Sequence, residues 1–432
     1  MSAAPGRPKQ ARTAAQQGEG TPVNSAQMPV GRALIIIGAG LAGWTTAREF
    51  RKLDATTPVL LITADSGDFY AKPSLSNAFV QGRAPAQLIT TPAATMATKL
   101  NVTLHPRTRV MSIDPLAQTV ATSAGHVEYR QLVLATGAQA IRVPLAGNAA
   151  DQVLSVNSLD DFGVLYARVT GSTVEPAPTS SAPTEKPARR VLIMGAGLIG
   201  CEFANDLAAA GWQVSVVDPA ASPMSALLPP HASAELRAAL GELGVAWHFG
   251  TTVTAVNHAS QAAAHGHQSA LQVDLSNGES VPADVVLSAI GLRADTALAH
   301  AAGLRCERGI VVDRRLQTSA PNIFALGDGA QYASAADRTL PFVMPIMSAA
   351  KALAMTLSGS PAELLFPLMP VAIKTPALPI VVAPPPPGAP GAWQAVEPGL
   401  WHFLDPVGQP RGFVLAGKQA ARRVEQGKLL VH

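Results

Sequence analysis

The sequence predicts an α/β protein: two doubly wound dinucleotide-binding domains followed by a small C-terminal α+β domain. Two observations carry that prediction. A βαβ pattern with a Gly-x-Gly-x-x-Gly turn occurs at Gly38, Gly40 and Gly43, and again 157 positions later at Gly195, Gly197 and Gly200. From Phe366 onward prolines multiply and only short strand-like runs appear, which marks a separate unit.

A length of 432 residues suits roughly two to four domains. The charge balance, 32 Lys+Arg against 29 Asp+Glu, gives +3 and argues against a dedicated nucleic-acid binder. With 48% hydrophobic residues there is material for large cores, so global disorder is excluded. Cys201 and Cys306 stand far apart, with no close Cys-Cys spacing. That argues against a disulfide framework, a zinc cluster or a dithiol relay, and favours a cytoplasmic location. The ten histidines form no metal spacing; His258, His265 and His267 read as solvated residues of a polar segment, so no metal site is expected.

Taken in order, residues 1–30 are rich in Ala, Pro, Gln, Gly and Ser, lack the apolar centre of a signal peptide, and read as a disordered tail. Ala33 to Ile37 is an apolar, β-branched run suited to a buried parallel strand. The next segment has helical spacing, with Ala42, Ala47, Phe50 and Leu53 on one side and Arg48, Arg51 and Lys52 opposite. Val59 to Thr63 closes the first βαβ unit. The second repeats the events: Val191 to Met194, an alanine-rich helix to Ala210, then Val214 to Val217. Between the units, 170–188 has no periodicity and reads as a flexible insertion. Strands are expected around Val245 to Phe249, Thr252 to Val256, Leu271 to Leu275 and Val285 to Ala289, with a hairpin turn at Asn277-Gly278. Thr375 to Val396 is uncharged, but its seven prolines exclude a membrane helix. The expected domains are 31–150 with 283–350, then 151–282, then 351–432.

In such a turn the first glycine permits the tight bend, the second lets backbone approach a pyrophosphate, and the third lets helix and strand pack closely. The phosphates rest on the helix N-terminus, here opened by Leu41 and Ala42 in the first unit and by Leu198 and Ile199 in the second. An acidic residue about 20 positions on discriminates the nucleotides. In the second unit it is Asp218, with no Arg or Lys before His231; a carboxylate there accepts from a ribose hydroxyl and repels a 2′-phosphate, so NADH is expected over NADPH. In the first unit Asp65 is either the equivalent acid or a residue of a surface turn.

Three further signatures point to a family. Leu132 to Gly137 ends in Ala135-Thr136-Gly137, Ser288 to Gly291 offers a similar ending, and Thr318 to Asp328 runs into Gly327-Asp328. With the two fingerprints, in this order, they resemble the two-dinucleotide-fold flavoprotein reductases of the glutathione-reductase-like superfamily. Within it, the run Tyr70 to Ser76, the run Gly200 to Leu207, Phe342 to Pro345 and Lys374-Thr375-Pro376 are similar to the rubredoxin–NAD reductases, and the likeness covers about 32 to 415.

The resemblance implies FAD in the first domain and NADH in the second. Gly38, Gly40, Leu41, Ala42 and Gly43 would hold the FAD pyrophosphate, Asp65 its adenosine ribose, and Gly327 with Asp328 its ribityl or phosphate region. Ala135, Thr136, Gly137 and Pro345 would complete that site. Gly195, Gly197, Leu198, Ile199, Gly200, Asp218 and Gly291 would hold NADH. Lys72 is similar in position to the lysine beside the flavin N5, and Glu202 to its ion-pair partner. A cation there, with the helix N-terminus near Pro345, stabilises negative charge arriving on the flavin. Lys72 as a solvated loop lysine and Glu202 as a structural salt bridge are the plainer readings.

No Cys-x-x-x-x-Cys occurs around Tyr70 to Phe79, so electrons must leave directly from the flavin, and Cys201 reads as a small buried hydrophobe. The acceptor implied is rubredoxin. Residues 341–432 carry seven Lys or Arg against four Asp or Glu, with Lys418, Arg422, Arg423 and Lys428 near the end. They form a docking face for an acidic partner or merely a solvated helix face. The alternatives are an NADH:ferredoxin reductase of an oxygenase system and, of another class, a redox sensor that binds FAD and NADH without turnover. Oligomeric state is open.

Overall fold

Ala33–Ile37 (β1) is buried along its whole length, as in a strand covered on both faces. The chain turns at Gly38 into helix Leu41–Arg51 (α1) and returns as Val59–Ile62 (β2), parallel to β1 with Ile35 opposite Leu60. This computed structural model describes Met1 and residues 33–171, 189–259 and 270–430. The expected tail beyond Met1, the expected insertion beyond residue 171, and His265 and His267 lie outside the described residues.

α1 buries Ala42, Trp44, Ala47 and Phe50, while Arg48 and Arg51 occupy its last turn, where the helix dipole favours cations. Leu53, expected on the apolar face, is 54% exposed, because the helix ends at Arg51 and its periodicity no longer places that side chain. Gly125–Leu134 (β3) lies on the other side of β1. Thr103–His105, β2, β1, β3 and Ile323–Ala325 form the parallel part of the first sheet. The first half of β3 pairs antiparallel with Thr119–Thr122, which continues to Val110–Asp114.

The second sheet repeats the plan. Arg190–Met194 (β4) leads through Gly195 into helix Leu198–Ala209 (α2) and then Gln213–Asp218 (β5). The parallel order is Leu154–Ser155, Val285–Ser288 (β6), β4, β5, Ala246–Phe249, with Ile193 between Val216 and Leu287. The domain boundary expected at 283 is therefore too early. β6 belongs to the second sheet, and the chain recrosses at Leu292–Ala294, which pairs antiparallel with Ala138–Ala140. Residues Val285 to Leu287 are apolar enough for either sheet, so composition alone could not allot them.

Val253–His258, Leu271–Leu275 and Ser280–Ala283 form a small antiparallel sheet. Gly278, at φ +87°, makes the Asn277-Gly278 turn into Ser280–Ala283, a strand absent from the sequence expectation, and His258 closes a strand instead of lying in a loop. Helix Val343–Leu357 (α3) crosses the boundary expected at 350 and packs along α1 through Ala349, Ala350 and Leu353 in the first domain's core.

The C-terminal unit is a five-stranded antiparallel sheet in the order 371–373, 380–383, 410–416, 400–404, 392–397, followed by short helical turns. Its Ile373, Ile380, Val382, Trp401 and Val414 share one apolar cluster with Phe203 and Leu207 of α2 and with Leu75 and Phe79 of the first domain. Three parts of the chain thus meet at α2. Among the described residues no helix is long and apolar enough to cross a membrane.

Candidate active site

The two glycine turns have the same geometry. A Cβ on Gly43 would stand 1.9 Å from the Gly38 carbonyl oxygen, and one on Gly200 1.9 Å from that of Gly195, so the third glycines allow close packing of helix on strand. The middle glycines differ: a Cβ on Gly40 or Gly197 meets no atom within 4 Å. Those faces are open, and both glycines line one cavity of about 2190 Å³. Each is also the N-cap of its helix, with no side-chain cap and no acid in the first turn. The leading N–H groups of α1 and α2 are thereby left for an anionic ligand.

The acids stand where the strands end. Asp65, just past β2, accepts from Thr63 Oγ1 (2.6 Å) and Gly67 N (2.9 Å). Asp218, the last residue of β5, accepts from Ala196 N (2.6 Å) and Ala220 N (2.7 Å). Those bonds pin each carboxylate, and its remaining lone pairs are free to accept from a ribose diol. Both acids line the cavity. Asp218→Ala removes one charge-assisted acceptor, worth about 1.5–3 kcal/mol. Its KM for NADH should rise about 10- to 100-fold while preference over NADPH falls. Steady-state rates with both nucleotides check this, and an unchanged preference would remove Asp218 from that role.

Of the residues expected from the sequence to hold FAD or NADH, all but three line this cavity, the first fingerprint with Asp65, Lys72, Asp328 and Pro345, the second with Glu202, Asp218 and Gly291. The exceptions, Gly43, Gly200 and Gly327, are packing positions; Gly327, at φ +86°, lies against Ala42, where a Cβ would come within 3.0 Å. A space of this size exceeds the roughly 300–1,000 Å³ usual for one small ligand and suits two dinucleotides end to end.

Lys72 opens the 3₁₀ helix Lys72–Asn77, and its Nζ donates to Asn157 Oδ1 (2.5 Å). Burial pulls its pKa below the usual lysine value, against the pull of Asp328 and Asp161. Burial pushes the Asp328 carboxyl up, and the charge of Lys72 opposes it. Tyr70, whose Oη accepts from Leu159 N (3.0 Å), is pushed up to about 12 by burial.

Glu202 has a different partner from the one the resemblance implies. It is 1% exposed, and its Oε2 bonds Lys374 Nζ (2.5 Å) and Ser76 Oγ (2.6 Å), while Oε1 accepts from Lys374 N (2.9 Å). The Lys72 ammonium turns instead to Asn157, just past the edge strand Leu154–Ser155 of the second sheet, whereas α2 carries Glu202 beneath the C-terminal sheet. Three and four residues further on, about one helical turn, Asn205 accepts from Ala377 N (3.0 Å) and Asp206 from Phe79 N (3.0 Å) and Val80 N (2.9 Å). The sequence reading missed Ser76, Asn157, Asn205, Asp206 and Lys374 as site residues. One signal was available: Glu202, Asn205 and Asp206 are polar at helical spacing on an otherwise apolar helix.

Cys201 is fully buried, donates to the Ala196 carbonyl (3.3 Å), and has its thiol pKa pushed up by burial. Both cysteines are free, and no group of three or more metal-binding side chains occurs among the described residues.

Two parallel nucleotide folds facing one cavity define an oxidoreductase that moves electrons between two bound nucleotides. A family model described as pyridine nucleotide-disulphide oxidoreductase matches residues 32–355, and one described as rubredoxin binding C-terminal domain matches residues 363–430. The chain belongs to the pyridine nucleotide-disulphide oxidoreductase family, with FAD as cofactor and NADH as co-substrate. It is similar to Rubredoxin-NAD(+) reductase of Alcanivorax borkumensis, 40% identical over 402 residues, covering 92% of this chain and 98% of that protein. It is also similar to Nitric oxide reductase FlRd-NAD(+) reductase of Aeromonas hydrophila subsp. hydrophila, 40% identical over 397 residues, covering 90% and 94%. Among solved structures, the ferredoxin reductase for the CYP199A2 system from Rhodopseudomonas palustris matches with a TM-score of 0.77 at 27% identity, covering 91% of this chain and 93% of that one.

Proposed function

We propose that this chain is an FAD-dependent NADH:rubredoxin oxidoreductase, converting NADH and two oxidised rubredoxins to NAD⁺, a proton and two reduced rubredoxins. The observation that carries the reading is the one cavity lined by both fingerprints and by residues 366–372 and Lys374 of the rubredoxin-binding segment, in a chain with no close pair of cysteines. Bound flavin supplies the redox chemistry, taking a hydride from NADH and returning electrons one at a time. The protein supplies position and charge. The helix N-termini at Gly40 and Gly197 receive the two pyrophosphates, Asp65 and Asp218 the riboses, and Lys72 with the N-terminus of α3 offers positive potential to the ring system.

Phe342, Val343 and Met344 line the cavity and are also exposed, so a carrier docked there reaches the site. Of the basic cluster, Arg422 pairs with Glu397 and Glu425, which leaves Lys418, Arg423 and Lys428 exposed as the positive face toward an acidic iron protein. Free cysteines accord with a cytoplasmic location.

The test is anaerobic reduction of the yellow holoenzyme by NADH, followed by mixing with oxidised rubredoxin or a [2Fe–2S] ferredoxin. Fast bleaching of rubredoxin, slowing as salt is added, is the expected result. Reduction of ferredoxin alone transfers the reading to a ferredoxin reductase, whereas reduction of neither, with a persistent long-wavelength band, would mark a sensor.

A further inference from the structure

We propose that Lys374 is a positioning residue for NADH: reaching in from the C-terminal domain, it holds the Glu202 carboxylate in place where the two nucleotide sites meet. The inference rests on reading the cavity as the FAD–NADH site.

Glu202 is 1% exposed, and burying a carboxylate is costly unless a cation and hydrogen bonds meet its charge. The groups around it can be named. On its own helix stand Cys201, whose thiol is pushed up by burial and by the charges of Asp218 and Glu202, and Asp206, whose carboxyl burial pushes up while Lys374 pulls it back. On the facing 3₁₀ helix stand Ser76, a neutral donor, and Lys72, whose ammonium is committed to Asn157 and senses Asp328 and Asp161. Lys374 is the cation in contact, through both its ammonium and its backbone N–H.

The lysine is itself fixed. Its Nζ also donates to Pro73 O (2.6 Å) and to Ser76 Oγ (2.9 Å), so one ammonium ties the first domain, α2 and the C-terminal sheet together at the wall of the cavity. Asn205, which accepts from Ala377 N, holds the same C-terminal segment in register. As a carboxylate Glu202 offers acceptors only, the complement of the nicotinamide carboxamide N–H. The two lysines therefore divide the site: Lys72 attends the side of Asp328, and Lys374 fixes the position of Glu202.

The experiment uses FAD-loaded Lys374→Met, Lys374→Gln, Glu202→Gln and the double variant K374M/E202Q, reduced anaerobically by NADH over a range of NADH concentration, with FAD content measured for each. Lys374→Met should retain FAD and need at least about tenfold more NADH for half its limiting rate, because Glu202 without Lys374 is no longer held where NADH meets it. In the Glu202→Gln background the same substitution should add little. A wild-type NADH dependence in Lys374→Met, or an equal loss in both backgrounds, would overturn the inference. Should Lys374→Met not hold FAD, Lys374→Gln, which keeps a donor for Pro73 O, carries the same comparison. Failure of NADH to reduce the wild-type holoenzyme would instead sink the functional reading itself.

Discussion

Gly197→Val should abolish useful NADH binding while leaving FAD in place. Gly197 has φ −75° and ψ −170°, an extended conformation that valine adopts readily, and a Cβ there touches no protein atom within 4 Å. The variant should therefore fold. Its side chain would fill the space where the pyrophosphate approaches the first N–H groups of α2. Losing two charge-assisted hydrogen bonds costs about 3–6 kcal/mol, so KM for NADH should rise roughly 10²- to 10⁴-fold. Flavin absorbance of the purified protein and NADH titration of the anaerobic holoenzyme check both halves. Loss of FAD together with NADH affinity would mean that the two fingerprints do not divide the nucleotides as proposed. Substitution at Gly200 is a weaker test, since its Cβ would collide with the backbone of Gly195 and disturb the turn itself.

The largest stability effect is expected at Asp206. Its carboxylate is fully buried and accepts from Phe79 N and Val80 N across the boundary between the two nucleotide domains. Asp206→Leu leaves the buried N–H of Phe79 unpaired, at about 1–3 kcal/mol, and the part-buried N–H of Val80 at less than that. Burial raises the Asp206 pKa, so part of that loss is offset by relief of a desolvated carboxyl. The segment released follows the 3₁₀ helix that carries Lys72, and the expected sign is earlier flavin release on heating or in urea. Midpoints for flavin fluorescence and for far-UV circular dichroism should both fall; if neither moves, Asp206 does not hold the domains together.

Local pattern made much of this legible. Apolar β-branched runs before a Gly-x-Gly-x-x-Gly turn can hardly be anything but buried parallel strands, because glycine at those spacings serves the turn, the phosphate approach and the helix packing at once. β1, α1, β4 and α2 were therefore readable in place, and so were the acids at the ends of β2 and β5. Boundaries between domains were less legible. β6 is apolar on both faces and suits either sheet; only its pairing with β4 assigned it. α3 reads as a helix from sequence, yet its membership of the first domain follows from its packing on α1.

By itself the sequence determined the two nucleotide folds, their order, the cofactor class and the lack of a Cys-x-x-x-x-Cys pair, since each depends on residues close together in the chain. Tertiary structure alone decided that the sites share one cavity and that Glu202 pairs with Lys374, 172 positions away, instead of Lys72. A buried carboxylate requires some cation. Which lysine meets it depends on how the C-terminal sheet lies over α2, and that follows from the shared apolar cluster of Phe203, Ile373, Val382 and Trp401, a long-range packing that no local spacing encodes.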